Sequence, residues 1–555
     1  MPNTTNIKSL APKDLRIIEQ TDSLYHYARQ VSNTRFGHQP VSIAYCKDAS
    51  HVQYCVNFCR QTNKAFRIRS GGHQHEGMCS GNGVIIIDLS EMNEIEYIDN
   101  QPNQAWIPVG KQLDSVYKEL EERKQIIPGG GCQSVNVGGI TQGGGWGYSI
   151  RKFGMTCDNI LAAEIVLANG KIEIVSEENQ SELFWALKGG GGGNFGVVTR
   201  FRFQLSPLIG YVTTFGLTWK NSEDVKEVIR VWMNLHASTD VKLDPALSSS
   251  CTMIIANPDE KDPYSDEIRE LEEGQKSFVD GRMGGQFYGT KTDLIKLLKK
   301  CFGEDLIPEN SKFTLLKEVC YIPKRKGLVK SKKETNTSLA SHQSIIANFL
   351  NPTSTPEQEI RIANECKQRN YRVLPEAPAS TCDRPHPHKI SSSFPKNYTC
   401  DDNSDMTEHI YDFLSKCCYY GDISKYMSFH CLGGAVKDNV DKRVFAFSDK
   451  PYLLQIQAWW DDIGNAFDNQ SRNEEYVKWV KDFRLNISPL TEGSFINFID
   501  QSLVDHPETH EGLLELLEIY YGENNLSRLS KIKAEQDPNE LFKFKMSIPP
   551  QMTNV

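Results

Sequence analysis

The chain has 555 residues, a formal net charge of −9, 39% hydrophobic residues and 24% charged residues. This length exceeds what one hydrophobic core serves, so we expect at least two domains. The mild acidity, without a basic stripe, argues against a nucleic-acid partner, and no stretch approaches the ~20 apolar residues that a membrane-spanning helix needs.

The fifteen cysteines are scattered, and none forms a Cys-x-x-Cys pair. The polar first thirty residues lack the apolar centre of a secretory signal, so we expect a cytoplasmic protein with mostly free thiols. Cys382, Asp383, His386 and His388 cluster in sequence, but their spacing matches no usual zinc pattern. We therefore predict no metal site.

Short apolar runs alternate with glycines between residues 38 and 206. The elements predicted there are a buried strand at 84–89, an amphipathic helix at 113–124, a hairpin at 162–175 turning through Asn169-Gly170, and a strand at 197–201. No Gly-x-Gly-x-x-Gly run follows a strand and opens a helix, which excludes a nicotinamide-type Rossmann unit here.

Strand and helix patterns are mixed between residues 207 and 490. The predicted elements are strands at 211–219 and 453–459 and helices at 225–236 and 357–368. This mixture predicts an α+β domain on a mainly antiparallel sheet.

Three glycine runs mark the first region. One is Arg69-Ser70-Gly71-Gly72-His73, another is Gly129-Gly130-Gly131-Cys132, and the third covers residues 189–193. Glycine lacks Cβ, so such loops bring backbone N–H groups close to a phosphate. A histidine and a cysteine on such loops suit a protein that holds a reactive organic cofactor through covalent bonds.

These loops, with Gly143-Gly144-Gly145-Trp146-Gly147, Tyr520-Tyr521-Gly522-Glu523-Asn524 and Asp537-Pro538-Asn539, resemble the berberine-bridge-enzyme-like FAD-linked oxidases of the vanillyl-alcohol-oxidase superfamily. The resemblance covers most of the chain and is closest to sugar-oxidising members. It implies a two-domain α+β fold of the PCMH type. An FAD-binding domain would span residues 38–206, a substrate domain 207–490, and a segment 491–555 would return to the FAD domain.

The resemblance implies a bicovalent FAD, with His73 on the 8α-methyl group and Cys132 on the C6 carbon. Gln133 and Ser134 depart from the usual Pro-Thr after the cysteine. The other positions that match flavin-binding segments are Arg69, Ser70, Gly71, Gly72, Gly131, Val135, Val137, Gly138, Gly139, Gly143, Gly144, Gly147, Val197 and Asn497. A small residue at Val135 resembles oxidases that admit O₂ to reduced flavin, while ordinary core packing is the alternative.

The catalytic base is the largest departure from the family. Relatives carry Tyr-x-Asn-Tyr where this chain has Phe495-Ile496-Asn497-Phe498, and phenylalanine cannot accept a proton. His430 stands where sugar-oxidising relatives have an aspartate, and histidine is a competent base near neutral pH. We hypothesise that His430 replaces the lost base, with a structural histidine as the alternative.

Gln455 and Gln457 alternate along one strand and so share a face. The resemblance turns this face toward the flavin and makes both residues catalytic candidates; a solvated sheet face is the alternative. Ile140 and His75 also depart from the family, which usually has histidine and tyrosine there.

The sequence therefore predicts an FAD-linked oxidase that takes hydride from a hydroxyl-bearing carbon of a sugar-like molecule and passes electrons to O₂. A flavin-dependent dehydrogenase or oxidative cyclase is the first rival. A flavoprotein that has lost its activity and serves as a binding scaffold is the second.

Overall fold

A computed structural model describes residues 6–238, 243–256, 278–308, 311–317, 385–417, 424–460 and 466–551. The helix predicted at 357–368 lies outside these residues, as do Cys382 and Asp383. None of the helices within the described ranges is long and apolar enough to cross a membrane.

The first part of the chain contains two main sheets. Its strands are β1 (Arg16–Glu19), β2 (Ser42–Tyr45), β3 (Phe66–Arg69), β4 (Ile85–Asp88), β5 (Glu96–Tyr97), β6 (Gln104–Pro108), β7 (Gln125–Ile126), β8 (Ile160–Val166), β9 (Ile172–Ser176), β10 (Val197–Gln204) and β11 (Ser206–Pro207). Its helices are α1 (Tyr25–Ala28), α2 (Ala49–Thr62), α3 (Leu113–Glu122), α4 (Val137–Gln142), α5 (Ile150–Phe153) and α6 (Ser181–Ala186).

One sheet has the order β1-β2-β4-β3 and is parallel except for β1, and the other has the order β5-β6-β10-β8-β9 and is antiparallel. Strand β4, helix α3, the β8–β9 hairpin and strand β10 confirm the predicted elements. Gly170 has φ 82° in the hairpin turn, a conformation that glycine adopts without strain. Strand β1 extends the first sheet to residues before 38, so the sheet begins earlier than the predicted domain boundary.

The second part is built on one large sheet. Its strands are β12 (Tyr211–Trp219), β13 (Leu247–Ala256), β14 (Phe278–Phe287), β15 (Lys312–Lys317), β16 (His388–Pro395), β17 (Ser424–Cys431), β18 (Tyr452–Trp459) and β19 (Thr491–Glu492). Helices α7 (Ser222–Ala237), α8 (Lys291–Phe302), α9 (Cys400–Ser415) and α10 (Ala466–Ile487) accompany it. Among the described residues the order is β15-β12-β14-β13-β17-β18-β16-β19, with antiparallel pairing throughout. The antiparallel sheet was predicted correctly, as were strands β12 and β18 and helix α7.

The C-terminal segment packs on the first part of the chain. Helix α11 (His510–Gln536) is interrupted at Gly522, which has φ 70°. The Lys533 ammonium donates to the backbone oxygen of Asn194 at 2.6 Å and pairs with Asp537 at 2.7 Å. The Asn194 side chain accepts from the backbone N–H of Ile548 at 3.0 Å. These buried polar contacts hold the tail against the third glycine run.

Three segments meet at a buried ammonium group. Lys389 on β16 is 2.6 Å from Glu76 of the first part and 2.5 Å from Asp500 of the tail, and Arg35 lies 3.3 Å from Glu76. Burial alone would raise the pKa of Asp500, but Lys389 and neighbouring hydroxyl groups hold it below its ordinary value. The carboxylate is therefore charged at neutral pH, and its contribution to stability is lost only as the pH falls through this lowered pKa.

We predict that Asp500→Asn destabilises the protein strongly, because removing one partner leaves a buried charge uncompensated at a cost of ~3–5 kcal/mol. A fall in the thermal unfolding midpoint, measured by calorimetry at a fixed scan rate, checks this. Asp505→Asn is the matched control, since Asp505 is exposed and its 3.5 Å pair with Lys481 is of little energetic value. Equal midpoints for the two variants would contradict the prediction.

Candidate active site

A cavity of about 490 Å³ lies between the glycine loops of the first part, the face of the large sheet and the C-terminal segment. Its walls include most of the cofactor-binding residues predicted from sequence. The predicted residues on the wall are Ser70, Gly71, Gly72, His73, Gly131, Cys132, Val135, Gly138, Gly139 and Asn497. His430, Gln455 and Gln457 line the same cavity, so the structure brings the predicted cofactor and substrate residues together.

His73 and the loop that carries Cys132 lie side by side on the wall of this cavity. The imidazole Nε2 of His73 lies 3.1 Å from the hydroxyl oxygen of Ser134. Ser70 donates to the backbone oxygen of Val109 at 2.6 Å, which fixes the first glycine loop on the sheet behind it. The two side chains proposed as flavin tethers thus stand on loops that are held within one pocket.

Cys132 departs from the expectation of mostly free thiols. Cys157, Cys251 and Cys301 have free thiols, whereas the Cys132 sulfur takes part in a disulfide. A sulfur bonded in this way cannot also carry a thioether, so a flavin bond at C6 requires this disulfide to be opened first. The attachment at Cys132 stays a proposal.

The glycines of the cavity wall fit the demands of FAD. A Cβ added to Gly139 would meet nothing within 4 Å, so the glycine leaves open space on the cavity side. A Cβ at Gly71 would come within 2.8 Å of the Asn136 backbone nitrogen. Gly72 has φ 68°, in the region that glycine favours. Together with the nucleophilic ring of His73, these loops suit the phosphate and ring portions of a dinucleotide.

Several residues predicted to bind the cofactor lie away from the wall and support the backbone instead. Arg69 is buried in an ion pair with Asp88 and donates to the backbone oxygen of Ala28 at 2.6 Å. Val137 and Val197 are fully buried in the hydrophobic core. The other predicted residues away from the wall are Gly143, Gly144 and Gly147.

These three glycines have packing roles. A Cβ at Gly143 would come within 1.7 Å of Asn497 Oδ1, and one at Gly147 would come within 1.8 Å of the Gly129 backbone oxygen. Gly144 has φ 106°. Asn497 lies on the cavity wall and also donates to the backbone oxygen of Ile140 at 3.1 Å, so it anchors α4.

The polar wall of the cavity follows from the period-two pattern of β17 and β18. Along β18, Leu454 and Ile456 pack into the core, so Gln455 and Gln457 face the other side. Gln455 and Gln457 are nevertheless almost fully buried, at 4% and 8% exposure. The alternative of a solvated sheet face is therefore wrong. The register places Tyr426 of β17 directly opposite Gln457.

A chain of hydrogen bonds runs along this wall. The indole N–H of Trp459 donates to Gln457 Oε1 at 2.8 Å, and the Gln457 amide nitrogen donates to Gln455 Oε1 at 2.7 Å. His430 Nε2 lies 2.9 Å from the same Gln455 oxygen. An indole N–H can only donate and an amide oxygen can only accept, so every hydrogen bond in this series has a fixed direction. Since Gln455 Oε1 accepts, His430 Nε2 must carry the proton that it donates.

A pair of histidines also lies on the wall, and the sequence did not predict that the two rings meet. His75 Nδ1 is 2.9 Å from His388 Nε2, and the ring of Trp459 stacks on His388 at a centroid distance of 4.2 Å. Burial and the nearby Lys389 ammonium lower the pKa of His75 to about 4. Burial and the neighbouring His75 also lower the pKa of His388 well below its ordinary value. Both rings are thus neutral at pH 7.

The positions of Phe495 and Phe498 complete the wall. Phe495 is 2% exposed, and its ring centroid lies 5.4 Å from that of Phe498. Phe498 is in turn 6.0 Å from the His75 ring. Tyr148 also lines the cavity, but burial raises its pKa to about 12, so it stays protonated at neutral pH. The departures from the family at residues 75, 495 and 498 are therefore neighbours in space.

Two family models of flavoproteins match segments of the chain that contribute residues to this cavity. The family model described as "FAD binding domain" matches residues 40–176, and the one described as "Berberine and berberine like" matches residues 494–549. The glycine-walled cavity and the matched FAD-binding domain define an FAD-dependent oxidoreductase.

Similar proteins extend over nearly the whole chain. The uncharacterized FAD-linked oxidoreductase YgaK of Bacillus subtilis (strain 168) is 27% identical over 540 residues, which are 96% of this chain and 97% of YgaK. Berberine bridge enzyme from Eschscholzia californica has a TM-score of 0.72 at 19% identity, covering 98% of both chains. A chitooligosaccharide oxidase has a TM-score of 0.70 at 18% identity, covering 97% of this chain and 98% of its own. Over nearly its whole length the chain is similar to the berberine-bridge-enzyme-like FAD-linked oxidoreductases.

We predict that FAD remains with the polypeptide after acid denaturation, because His73 and Cys132 share one pocket. Peptide masses should place one flavin across both residues, and His73→Ala should leave the flavin on Cys132 alone. His38→Ala is a suitable control, since His38 lies outside the cavity wall. Flavin released into the supernatant, or a Cys132 peptide found only as a disulfide, would contradict the double attachment.

Proposed function

We propose that this protein is an FAD-linked oxidase that removes hydride from a hydroxyl-bearing carbon of a sugar or sugar-like molecule and passes the electrons to O₂, giving H₂O₂. The observation that carries the proposal is the buried polar wall. His430, Gln455 and Gln457 open into the same cavity as the residues suited to FAD. Buried amides and imidazoles need partners, and the hydroxyl groups of a carbohydrate can both donate and accept.

Aromatic rings flank this polar wall. The Trp146 ring lies 4.4 Å from the His430 ring, and Trp459 closes the other end of the hydrogen-bond chain. Cavities with a few fixed polar groups among aromatic side chains are typical of small-molecule sites. A chitooligosaccharide oxidase shares the fold, which supports a carbohydrate as the substrate class.

Bound FAD would supply the acceptor for a hydride and its two electrons. The residues of this chain would bind and orient the alcohol and accept its hydroxyl proton. Gln455 accepts from both Gln457 and His430, so the amide is held in one orientation toward the cavity. Such fixed polar groups position a reacting carbon without having to reorganise during the reaction.

Val135 supports O₂ as the electron acceptor. It lies on the cavity wall and is only partly buried, so it does not serve core packing alone. Its β-branched side chain is shorter than leucine and leaves room beside the cofactor loops. The dehydrogenase reading would instead require that O₂ be kept out.

We predict that anaerobic mixing with sugars bleaches the flavin and that air then restores its absorbance with release of H₂O₂. The panel should include glucose, cellobiose and chitobiose, because a hydroxyl-bearing carbon is the expected donor. Stopped-flow absorbance follows both steps. Val135→Leu should slow the return of absorbance by about tenfold or more, while Val135→Ala, which keeps the space open, should not.

The outcomes separate the rival functions. Bleaching by sugars followed by slow reaction of the wild type with air would identify a dehydrogenase. Bleaching only by aromatic alcohols or amines would favour an oxidative cyclase of secondary metabolism. If none of these donors reduces the flavin, the remaining possibility is a flavoprotein that has lost its activity and serves as a binding scaffold.

We also predict that His430→Ala retains the flavin but slows its reduction by substrate, because Gln455 loses a partner and the substrate loses a contact. Flavin content and the rate of anaerobic bleaching measure the two effects. His409→Ala is the matched control, since His409 is exposed on α9. Unchanged bleaching in His430→Ala would remove His430 from the site.

A further inference from the structure

A backbone carbonyl oxygen, which can only accept hydrogen bonds, fixes the positions of the protons in the His75–His388 pair. His388 Nδ1 lies 2.9 Å from the backbone oxygen of His386. A carbonyl oxygen accepts and never donates, so this nitrogen carries the proton of neutral His388. The other nitrogen, His388 Nε2, is then an acceptor.

This polarity determines the state of His75. Its Nδ1 lies 2.9 Å from the acceptor nitrogen of His388 and must therefore donate. Neutral His75 consequently has its lone pair on Nε2. Within the described residues no hydrogen bond reaches this atom, and His75 is a half-buried residue of the cavity wall. A basic nitrogen with a fixed tautomer is thus presented on the wall of the proposed substrate cavity.

Burial and the positive charges around the pair keep both rings neutral. Lys389 follows His388 in β16 and is paired with Glu76 and Asp500, while Arg35 lies beyond Glu76. Burial comes first in lowering the pKa of His75, followed by the Lys389 ammonium. For His388 the contributions are burial, His75, Arg35 and His73, opposed by the hydrogen bond to His386. Protonation of His75 is therefore confined to acidic solution.

Both ring nitrogens of His430 are engaged or buried within the wall. Its Nε2 proton is directed to Gln455, and the remaining ring nitrogen, Nδ1, is a buried atom. The proton of a neutral His430 is therefore taken up inside the wall and its other ring nitrogen is buried, whereas His75 shows the cavity an acceptor. A general base needs an acceptor atom that the hydroxyl proton can reach, and of the two histidines only His75 provides one.

We infer that His75, and not His430, accepts the hydroxyl proton of the substrate, with His388 as a positioning residue that fixes the His75 tautomer. The inference rests on the proposed oxidation of an alcohol. In this step the O–H bond breaks and its proton goes to His75 Nε2. The C–H hydrogen leaves as hydride with its electron pair to the FAD carried by this family, and a C=O bond forms. His75 thereby replaces the tyrosines lost at Phe495 and Phe498, although it arises from a different part of the chain.

Kinetics of the flavin-loaded protein test this assignment. His75→Ala should retain FAD and lower the rate of flavin reduction by a sugar from the panel by about 10²–10⁴-fold, the range for loss of a general base. Added imidazole should restore part of the rate in His75→Ala but not in His430→Ala. His388→Ala should cause a smaller loss, and exposed His409→Ala none. Rescue of His430→Ala alone, or full activity of His75→Ala, would overturn the assignment.

The pH profile is a further measure. The folded-state pKa of His75 is about 4, so His75 stays unprotonated from pH 8 to about 5 and should cause no change of rate in the wild type there. At lower pH the rate should fall as His75 is protonated. In His388→Ala the fall should move to another pH, since His75 Nδ1 loses the acceptor that holds its proton. An identical profile in both proteins would contradict the positioning role.

Nuclear magnetic resonance provides a readout that does not need a substrate. In holoprotein labelled with ¹⁵N-histidine, the ring nitrogens of His75, assigned by loss of signal in His75→Ala, should show a protonated Nδ1 and an unprotonated Nε2 at pH 7. A proton on Nε2, or a doubly protonated ring at pH 7, would overturn the inference. If no sugar reduces the flavin while this tautomer is found, the proposed function fails but the arrangement of the pair stands.

Discussion

The Lys389 ammonium, sealed away from water, is the constraint on which the cavity depends. A charge at 2% exposure requires carboxylates, and they come from two segments far apart in sequence, Glu76 and Asp500. The ion pairs therefore hold three segments together. These are the loop after His73, the strand that begins at His388 and the segment after Phe498. The same ammonium disfavours a proton on His75. One buried ion thus joins the three parts and, together with burial, keeps His75 neutral.

Local features of the fold were predictable because they depend on neighbouring residues. Alternation of apolar residues placed β18, the Asn169-Gly170 turn placed the β8–β9 hairpin, and glycine runs marked the loops around His73 and Cys132. The side chains of β18 were also assigned to the correct pair of faces, since period two decides this without knowledge of partners. The resemblance to a flavoprotein family supplied the overall arrangement.

The partners of the site could not be predicted in the same way. His75 and His388 are 313 positions apart, and nothing in either sequence neighbourhood indicates that their rings meet. The residues around Lys389 in its strand likewise do not indicate that two carboxylates from distant segments pair with it. Arg69 is the converse case, because its match to a flavin-binding segment predicted a cofactor contact, while the structure pairs it with Asp88 on the neighbouring strand. Such pairings are set by register and packing between distant segments.

The contribution of the tail to the cavity has a consequence for the order of assembly. Phe542, Lys543, Phe544 and Met546 line a cavity whose cofactor loops lie some 400 residues earlier in the chain. A ribosome therefore releases the loops long before the residues that close the pocket over them. The wall of the cavity is therefore complete only after translation has passed this region, and a nascent chain stalled before it would lack these side chains.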